Sequence, residues 1–380
     1  MSSVESMTLA SLRAVFMRGG TSKAVFFRRE DLPQVRDPDD PREWDDIFRT
    51  VMGSPDPKAR QLDGMGGGLS SLSKVAVVSQ SKTAVADIDF TFAQIGVRDG
   101  AVGYRGTCGN ITAAVATYAI DAGWVSDTTS PALVRIFNTN TKKLVHAHVP
   151  MNGSQPSIIP ESWFALHPAS GIRLDFLDPA GAATGRLLPT GSPCDTFEVA
   201  GFGAIRMSCV DAANPTVLVA GSSFGLTEPP SPEALESRKD IMHGLEHMRK
   251  TAARAMGLAQ TDEDLARITN LPLVALLFPA KEGEKAHVHT RMISAGQPHR
   301  ATPLTGAMCL AAAAKIPNTL PWAATRRSFA GPLLLGHASG TISVDATVAV
   351  EHGDVQVIST SVFRTARRLM EGRVFFPAAL

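Results

Sequence analysis

Two stretches of this chain, Ile111 to Ile120 and Gly306 to Ala314, contain no charged residue at any position. Each reads as a helix, and a helix without a charged face cannot rest on a surface with one side in water. It has to be wrapped. Both are far shorter than the roughly 20 residues that a bilayer-crossing helix requires, so the wrapping must be protein. Short apolar runs nearby can provide it: Val75 to Val78, Ala86 to Phe92, Leu273 to Phe278 and His287 to Ile293 read as strands.

The order of elements recurs. In the first half, Leu12 to Met17 and Ala24 to Phe27 form a hairpin about Arg18-Gly19-Gly20-Thr21-Ser22-Lys23, followed by a charged helical stretch from Pro41 to Met52 and a glycine-rich loop from Asp63 to Gly68. Two strands and the first uncharged helix come next. From Thr196 the second half runs through a hairpin about Asp211-Ala212-Ala213-Asn214-Pro215-Thr216, charged helices from Pro232 to Met256, two strands and the second uncharged helix. We read a weak internal duplication. The expected fold is α+β with two similar lobes, each a curled, mostly antiparallel sheet around a central buried helix. The first lobe should comprise residues 1–193 with a C-terminal strand at about 364–380, and the second residues 194–363. If the halves face each other, the N-terminal ends of both helices converge on one cleft suited to a carboxylate.

A length of 380 residues fits two domains, and a formal charge of +1 lacks the basic excess that binding a phosphate backbone requires. Nucleic acid is not an expected partner. Met1 to Ala10 does not read as a secretion signal, and no apolar run reaches membrane-spanning length. Cys108, Cys194, Cys209 and Cys309 are scattered and form no C-x-x-C pair, which suits neither a disulfide framework nor a structural zinc site. A cytoplasmic protein is expected, and a homo-oligomer is left open.

Chemistry concentrates at the start of the first uncharged helix. There Thr107-Cys108-Gly109-Asn110 places a thiol where the first backbone N–H groups lack intrahelical partners, a position that favours a thiolate or a docked carboxylate. The plain alternative is a small buried hydrophobe, which is the natural reading of Cys309, a turn inside its own helix. Lys74 stands between Ser70-Ser71-Leu72-Ser73 and a strand; as a general base it would have to be buried, and as an ordinary lysine it would snorkel to water. Arg18, Ser22, Lys23, Arg291 and His299 lie near hairpin tips or strand ends, where they could hold carboxylates or could simply be solvated. Arg105 could lower the thiol's pKa if it folds back. The loop Gly64-Met65-Gly66-Gly67-Gly68 completes neither dinucleotide nor phosphate-loop spacing. His243-Gly244-Leu245-Glu246-His247 matches H-x-x-E-H, an inverted zinc-protease signature. On a helix, however, Ile241, Leu245, Met248 and Ala252 form the apolar stripe and leave His243, Glu246, His247 and Lys250 on a solvated face beside Arg249.

Taken together, these segments resemble the 2-methylaconitate cis-trans isomerase family, often called PrpF-like, which is built on the diaminopimelate-epimerase-like fold. The resemblance covers most of the chain. It is carried by Met17-Arg18-Gly19-Gly20-Thr21-Ser22-Lys23, Leu62-Asp63-Gly64-Met65-Gly66-Gly67, Ser73-Lys74-Val75-Ala76 and Cys108-Gly109-Asn110, and later by Leu187-Leu188-Pro189-Thr190-Gly191, Gly336-His337-Ala338-Ser339-Gly340 and Thr365-Ala366-Arg367-Arg368-Leu369-Met370-Glu371-Gly372. It implies Lys74 and Cys108 as the proton-handling residues. A substrate site lined by Arg18, Thr21, Ser22, Lys23, Gly66, Gly67, Ser70, Ser71, Gly109 and Asn110 is also implied, with Arg291, His299, Thr305 and Gly306 added by the second lobe. Members act on methylaconitate, oxalomesaconate, methylitaconate or aconitate. This chain departs from the family pattern with Thr107 for an asparagine, Arg300 for a histidine and Ala338 for a proline. The extra guanidinium at Arg300 could add a carboxylate contact.

The implied reaction is an isomerisation of an unsaturated di- or tricarboxylate, with no metal or organic cofactor. Lys74 would remove an allylic proton, and Cys108 or the same lysine would return one. Tautomerisation of 4-oxalomesaconate or a double-bond shift in methylitaconate would use the same step. Two readings from other classes are a carboxylate-binding accessory protein without turnover and a zinc hydrolase using His243, Glu246 and His247.

Overall fold

Side-chain alternation along the strands sorts the first half of the chain into two faces, and this sorting positions the site. The computed structural model of the chain describes residues 9–37, 40–104, 108–125, 129–160, 170–181, 183–268, 271–294, 296–325, 331–351 and 354–377. Its described elements make a mixed, sheet-dominated α+β structure. The chain separates into two compact units, Met1–Leu174 with Phe363–Leu380, and Asp175–Val362. None of the described helices is long and apolar enough to cross a membrane.

In the first unit, strands β1 (Leu9–Gly19) and β2 (Ser22–Arg28) form the expected hairpin, with only Gly20 and Thr21 at its tip. The C-terminal strand Ala366–Pro377 pairs antiparallel with the other edge of β1. Parallel pairing joins β2 to β3 (Lys74–Gln80), and β3 runs antiparallel to β4 (Ile88–Ile95). Beyond β4 lie β5 (Ala132–Asn138), parallel to it, and β6 (Lys143–Val149), antiparallel to β5.

Successive side chains of a strand point to opposite faces. Val25 and Phe27 of β2, Val75 and Val77 of β3, and Ala93 and Ile95 of β4 share a cluster with Trp44, Phe48 and Met52, at the short helix α1 (Asp45–Met52) and the turn before it. Their alternates, Ser22, Ala24 and Phe26, Lys74 and Ala76, and Phe92 and Gln94, therefore belong to the opposite face. Helix α2 (Gly109–Asp121) lies there, buried at every position from Ile111 to Ile120. It packs on β1, β2, β3, β5, β6 and the C-terminal strand, and Phe26 stacks on Tyr118 with ring centroids 5.7 Å apart. The uncharged helix is thus buried against these strands.

In the second unit, β7 (Gly203–Ala212) and β8 (Asn214–Ala220) form an antiparallel hairpin about Ala213, whose φ is 68°. Strand β8 is parallel to β9 (Leu273–Pro279), and β9 antiparallel to β10 (Val288–Ser294). Helices α3 (Pro232–Ser237) and α4 (Lys239–Ala255) follow the hairpin. Helix α5 (Leu304–Ala313) is buried from Gly306 onward and packs on β7, β8 and the strand Gly340–Glu351.

The boundary differs from the sequence expectation, because the segment from Asp175 to Pro193 belongs to the second unit. Polar bonds fasten it there. The amides of Ala183 and Thr184 donate to the Asp211 carboxylate at 2.9 and 2.8 Å, the Asp211 amide donates to the Leu187 carbonyl at 2.9 Å, and Ser361 Oγ donates to Asp175 at 2.6 Å. Bonds of this kind leave no hydrophobic period to read.

Candidate active site

Lys74 is the first residue of β3, and burial leaves it only 7% exposed. Its ammonium lies 5.2 Å from the centroid of the Phe92 ring and donates to Gln94 Oε1. Burial pulls the amine's pKa below the ordinary lysine value, and the negative charge that Cys108 can carry opposes this as the smaller effect. The snorkelling alternative does not hold.

Cys108 is the N-cap of α2, half-buried, with extended backbone and no side-chain capping bond. Its Sγ lies 4.0 Å from Ser22 Oγ, a long S–H···O contact. Gly109 is buried as the helix begins. Asn110 reaches across to the hairpin: its Nδ2 donates to Thr21 Oγ1 at 3.1 Å and to Ser22 Oγ at 3.5 Å. That approach requires glycine on the facing strand, since a Cβ on Gly19 would lie 2.0 Å from the Asn110 carbonyl oxygen. Asn110 Oδ1 accepts from Arg364 Nε at 2.7 Å. Arg18 Nη1 donates to the Gly20 carbonyl and to Thr365 Oγ1, both at 2.9 Å, so this guanidinium braces the hairpin against the C-terminal segment. Lys23 departs from expectation. It alternates with Ser22, and its ammonium sits 5.7 Å from the centroid of the Phe16 ring, on the face away from α2. Arg105 and Thr107 lie outside the described residues.

The glycine-rich loop is held by a side chain that the sequence did not single out. Gln61, 1% exposed, accepts from the Gly68 amide at 2.9 Å and donates to Ser54 Oγ and Ser73 Oγ, both at 2.8 Å. A Cβ on Gly66 would overlap the Gln61 amide, and one on Gly67 would overlap Leu72, so both glycines serve close packing here. Ser70 is exposed and Ser71 half-buried in the turn that leads to Lys74, and the Ser70 carbonyl accepts from Gln94 Nε2 at 3.0 Å.

In the second unit, Arg291 is 8% exposed and donates to the main-chain carbonyls of Pro230, Thr290 and Pro229 at 2.5, 2.8 and 3.4 Å. Those bonds fix the segment before α3. His299 is exposed, with Nδ1 accepting from the Ala301 amide at 3.2 Å, and Thr305 is half-buried in the first turn of α5. Gly306 is buried where a Cβ would meet Met292 and Leu273. The Arg300 guanidinium faces Glu233 at 3.9 Å on the surface. Cys309 is fully buried, its thiol pushed up to about 12 by burial, which fits packing.

The H-x-x-E-H segment lies on α4 with the expected apolar stripe inward. Arg249 differs from the solvated position expected of it. It is 4% exposed and donates to the Ile268 carbonyl at 2.9 Å, to the Leu271 carbonyl, and to Glu246 at 2.7 and 2.8 Å. Glu246 is thereby an ion-pair partner, and among the described residues no three His, Cys, Asp or Glu side chains are grouped to hold a metal ion.

Comparison with known proteins adds four likenesses. The family model described as PrpF protein matches residues 9–377. A 2-methyl-aconitate isomerase from Shewanella oneidensis is 34% identical over 385 residues, covering 96% of each chain. The crystal structure of a methylitaconate-delta-isomerase superposes with a TM-score of 0.83 at 30% identity, covering 98% of this chain and 97% of that one. A hydroxyproline epimerase from Agrobacterium vitis gives a TM-score of 0.56 at 14% identity over 97% of this chain and 94% of that one, a likeness of fold, which is epimerase-like.

Proposed function

The chain belongs to the PrpF family and is an isomerase, and from that premise we propose that it moves an allylic proton on an unsaturated di- or tricarboxylate of the methylaconitate or aconitate type. The Lys74 amine removes the proton, and the C–H electron pair passes into a dienolate delocalised onto a carboxylate. The N-terminal end of α2 lies beside the thiol, and its dipole stabilises that developing charge. Cys108, or the lysine itself, returns a proton. Return to a different carbon shifts the double bond; return to the first carbon after rotation gives the other geometry. The step is redox-neutral and its atoms balance without a co-reactant.

The observation that carries this reading is a lysine buried to 7% exposure, its pKa lowered by that burial, on a strand packed against the helix whose N-cap is a thiol. A base must be deprotonated at working pH, and burial moves Lys74 in that direction. The substrate names attached to the relatives support the polycarboxylate class. Each unit repeats the sequence hairpin, parallel step, antiparallel step and buried helix, which supports two similar lobes. All four cysteines are free, which supports a reducing cytoplasm.

The test is proton NMR in heavy water with cis-aconitate, trans-aconitate, 2-methylaconitate, methylitaconate and 4-oxalomesaconate. Isomerisation of one or more of these acids, with deuterium entering the allylic carbon, is expected. Failure to turn over any acid despite tight binding would replace the proposal with a carboxylate-binding role.

A further inference from the structure

Lys74 and Gln94 stand directly opposite one another on the antiparallel pair β3 and β4, so their side chains leave the sheet on the same face as neighbours. The orientation of the Gln94 amide is decided by chemistry. Its Nε2 donates to the main-chain carbonyls of Ser70 and Ser73 at 3.0 and 2.9 Å, and a carbonyl can only accept, so the nitrogen must be at that end. The oxygen is left facing the Lys74 amine, which donates to it.

We infer that Gln94 is a positioning residue that aims the Lys74 amine while withholding the negative charge that would keep it protonated. This rests on the reading of Lys74 as the base. An ammonium has three N–H donors and a neutral amine has two with one lone pair, so Gln94 Oε1 can accept one N–H in either state. Holding that N–H, with the Phe92 ring on another side, restricts where the lone pair can point. A carboxylate of the same length would instead form a buried ion pair and favour the ammonium.

The surroundings sharpen the point. Among the described residues, Cys108 at the N-cap of α2 is the group whose charge acts on the amine. Strand β4 offers Asp89, but opposite Ser79 at the far end of the pair. On β2, Lys23 is turned to Phe16, and Arg28 donates to Tyr118. Asp121 closes the opposite end of α2. Glutamate at position 94 would therefore be a new charge against the amine. Glutamine there supplies the geometry of a carboxylate oxygen without its field.

The experiment is a pair of variants, Gln94→Glu and Gln94→Met, in the full chain. Lys74 is titrated by NMR with lysine labelled at Cε, and rate is followed against pH with whichever acid of the panel turns over. For Gln94→Glu, the Lys74 titration and the acidic limb of kcat/KM should both move up by about one unit or more, with activity recovering as pH rises. For Gln94→Met, which has no acceptor, kcat should fall at least about tenfold with KM little changed, the mark of a misaimed group. A Gln94→Glu profile superimposable on that of the parent would overturn the inference. So would parental kcat in Gln94→Met, which keeps the question answerable should the glutamate variant not fold. Lys74→Ala separates the two levels: if it retains turnover, the base assignment fails, whereas the Lys74 titration still reports what Gln94 does.

Discussion

Asn110 joins two segments distant in sequence, its Oδ1 accepting from Arg364 Nε at 2.7 Å while its Nδ2 donates to Thr21 Oγ1 at 3.1 Å. The guanidinium can only donate, so it consumes the acceptor end of the amide and turns the donor end toward the hairpin. Asn110 thereby ties the first turn of α2, the hairpin tip and the C-terminal segment around Cys108.

Aspartate at position 110 would keep the bond to Arg364 but bring a negative charge to the helix end that is to receive a carboxylate. Asn110→Asp should therefore raise KM by about tenfold, on the order of 1.4 kcal/mol, with thermal stability close to that of the parent. Steady-state kinetics and a melting curve check this together. An unchanged KM would mean that substrate carboxylates bind away from the first turn of α2.

The buried amine makes stability depend on pH with a defined sign. Because burial holds the folded-state pKa of Lys74 below its ordinary value, the unfolded chain binds that proton more tightly. The folded state carries the full penalty at every pH below its own pKa, and the penalty fades as pH rises toward the unfolded value of about 10.4. Denaturant unfolding of the parent and of Lys74→Met, measured side by side from about pH 6 to about pH 10, should show the difference shifting in the parent's favour as pH rises. A difference independent of pH would contradict a depressed lysine.

Arg249 anchors α4 by donating to the Ile268 and Leu271 carbonyls and to Glu246. Arg249→Met should cost about 2–4 kcal/mol of stability, since the carbonyls lose a charged donor. His243→Ala and His247→Ala, both exposed positions, should leave isomerisation unchanged. Loss of turnover in either histidine variant, with the fold intact, would restore a functional role to the H-x-x-E-H segment.

Much of the architecture was legible because the uncharged helices admit few environments. A stretch such as Ile111 to Ile120 has to be enclosed, and the strands that enclose it carry apolar runs on both faces. The places of Lys74 and Cys108 were legible, one at a strand start and the other at a helix start, whereas the proton-handling roles proposed for them came from the family resemblance. Gln94 was not. Reading the strand as Ala86 to Phe92 stopped it short of the residue opposite Lys74, whereas β4 continues to Ile95. Gln61 and Arg364 escaped for a different reason: a buried polar bond across 12 or 254 positions leaves no periodicity in the sequence. Lys23 was read with Ser22 as one polar tip, but the hairpin turns at Gly20 and Thr21, so strand alternation sends the two side chains to opposite faces.

The most direct test of the account is hydrogen exchange at the allylic carbon of the substrate in heavy water, followed by NMR for the parent and for Lys74→Ala at matched folded concentration. Removing the base should slow deuterium incorporation by at least about 100-fold, the lower end of what general-base catalysis contributes, while circular dichroism stays unchanged. Incorporation at the parental rate in Lys74→Ala would mean that another group takes the proton, and the assignment of Lys74 would be wrong.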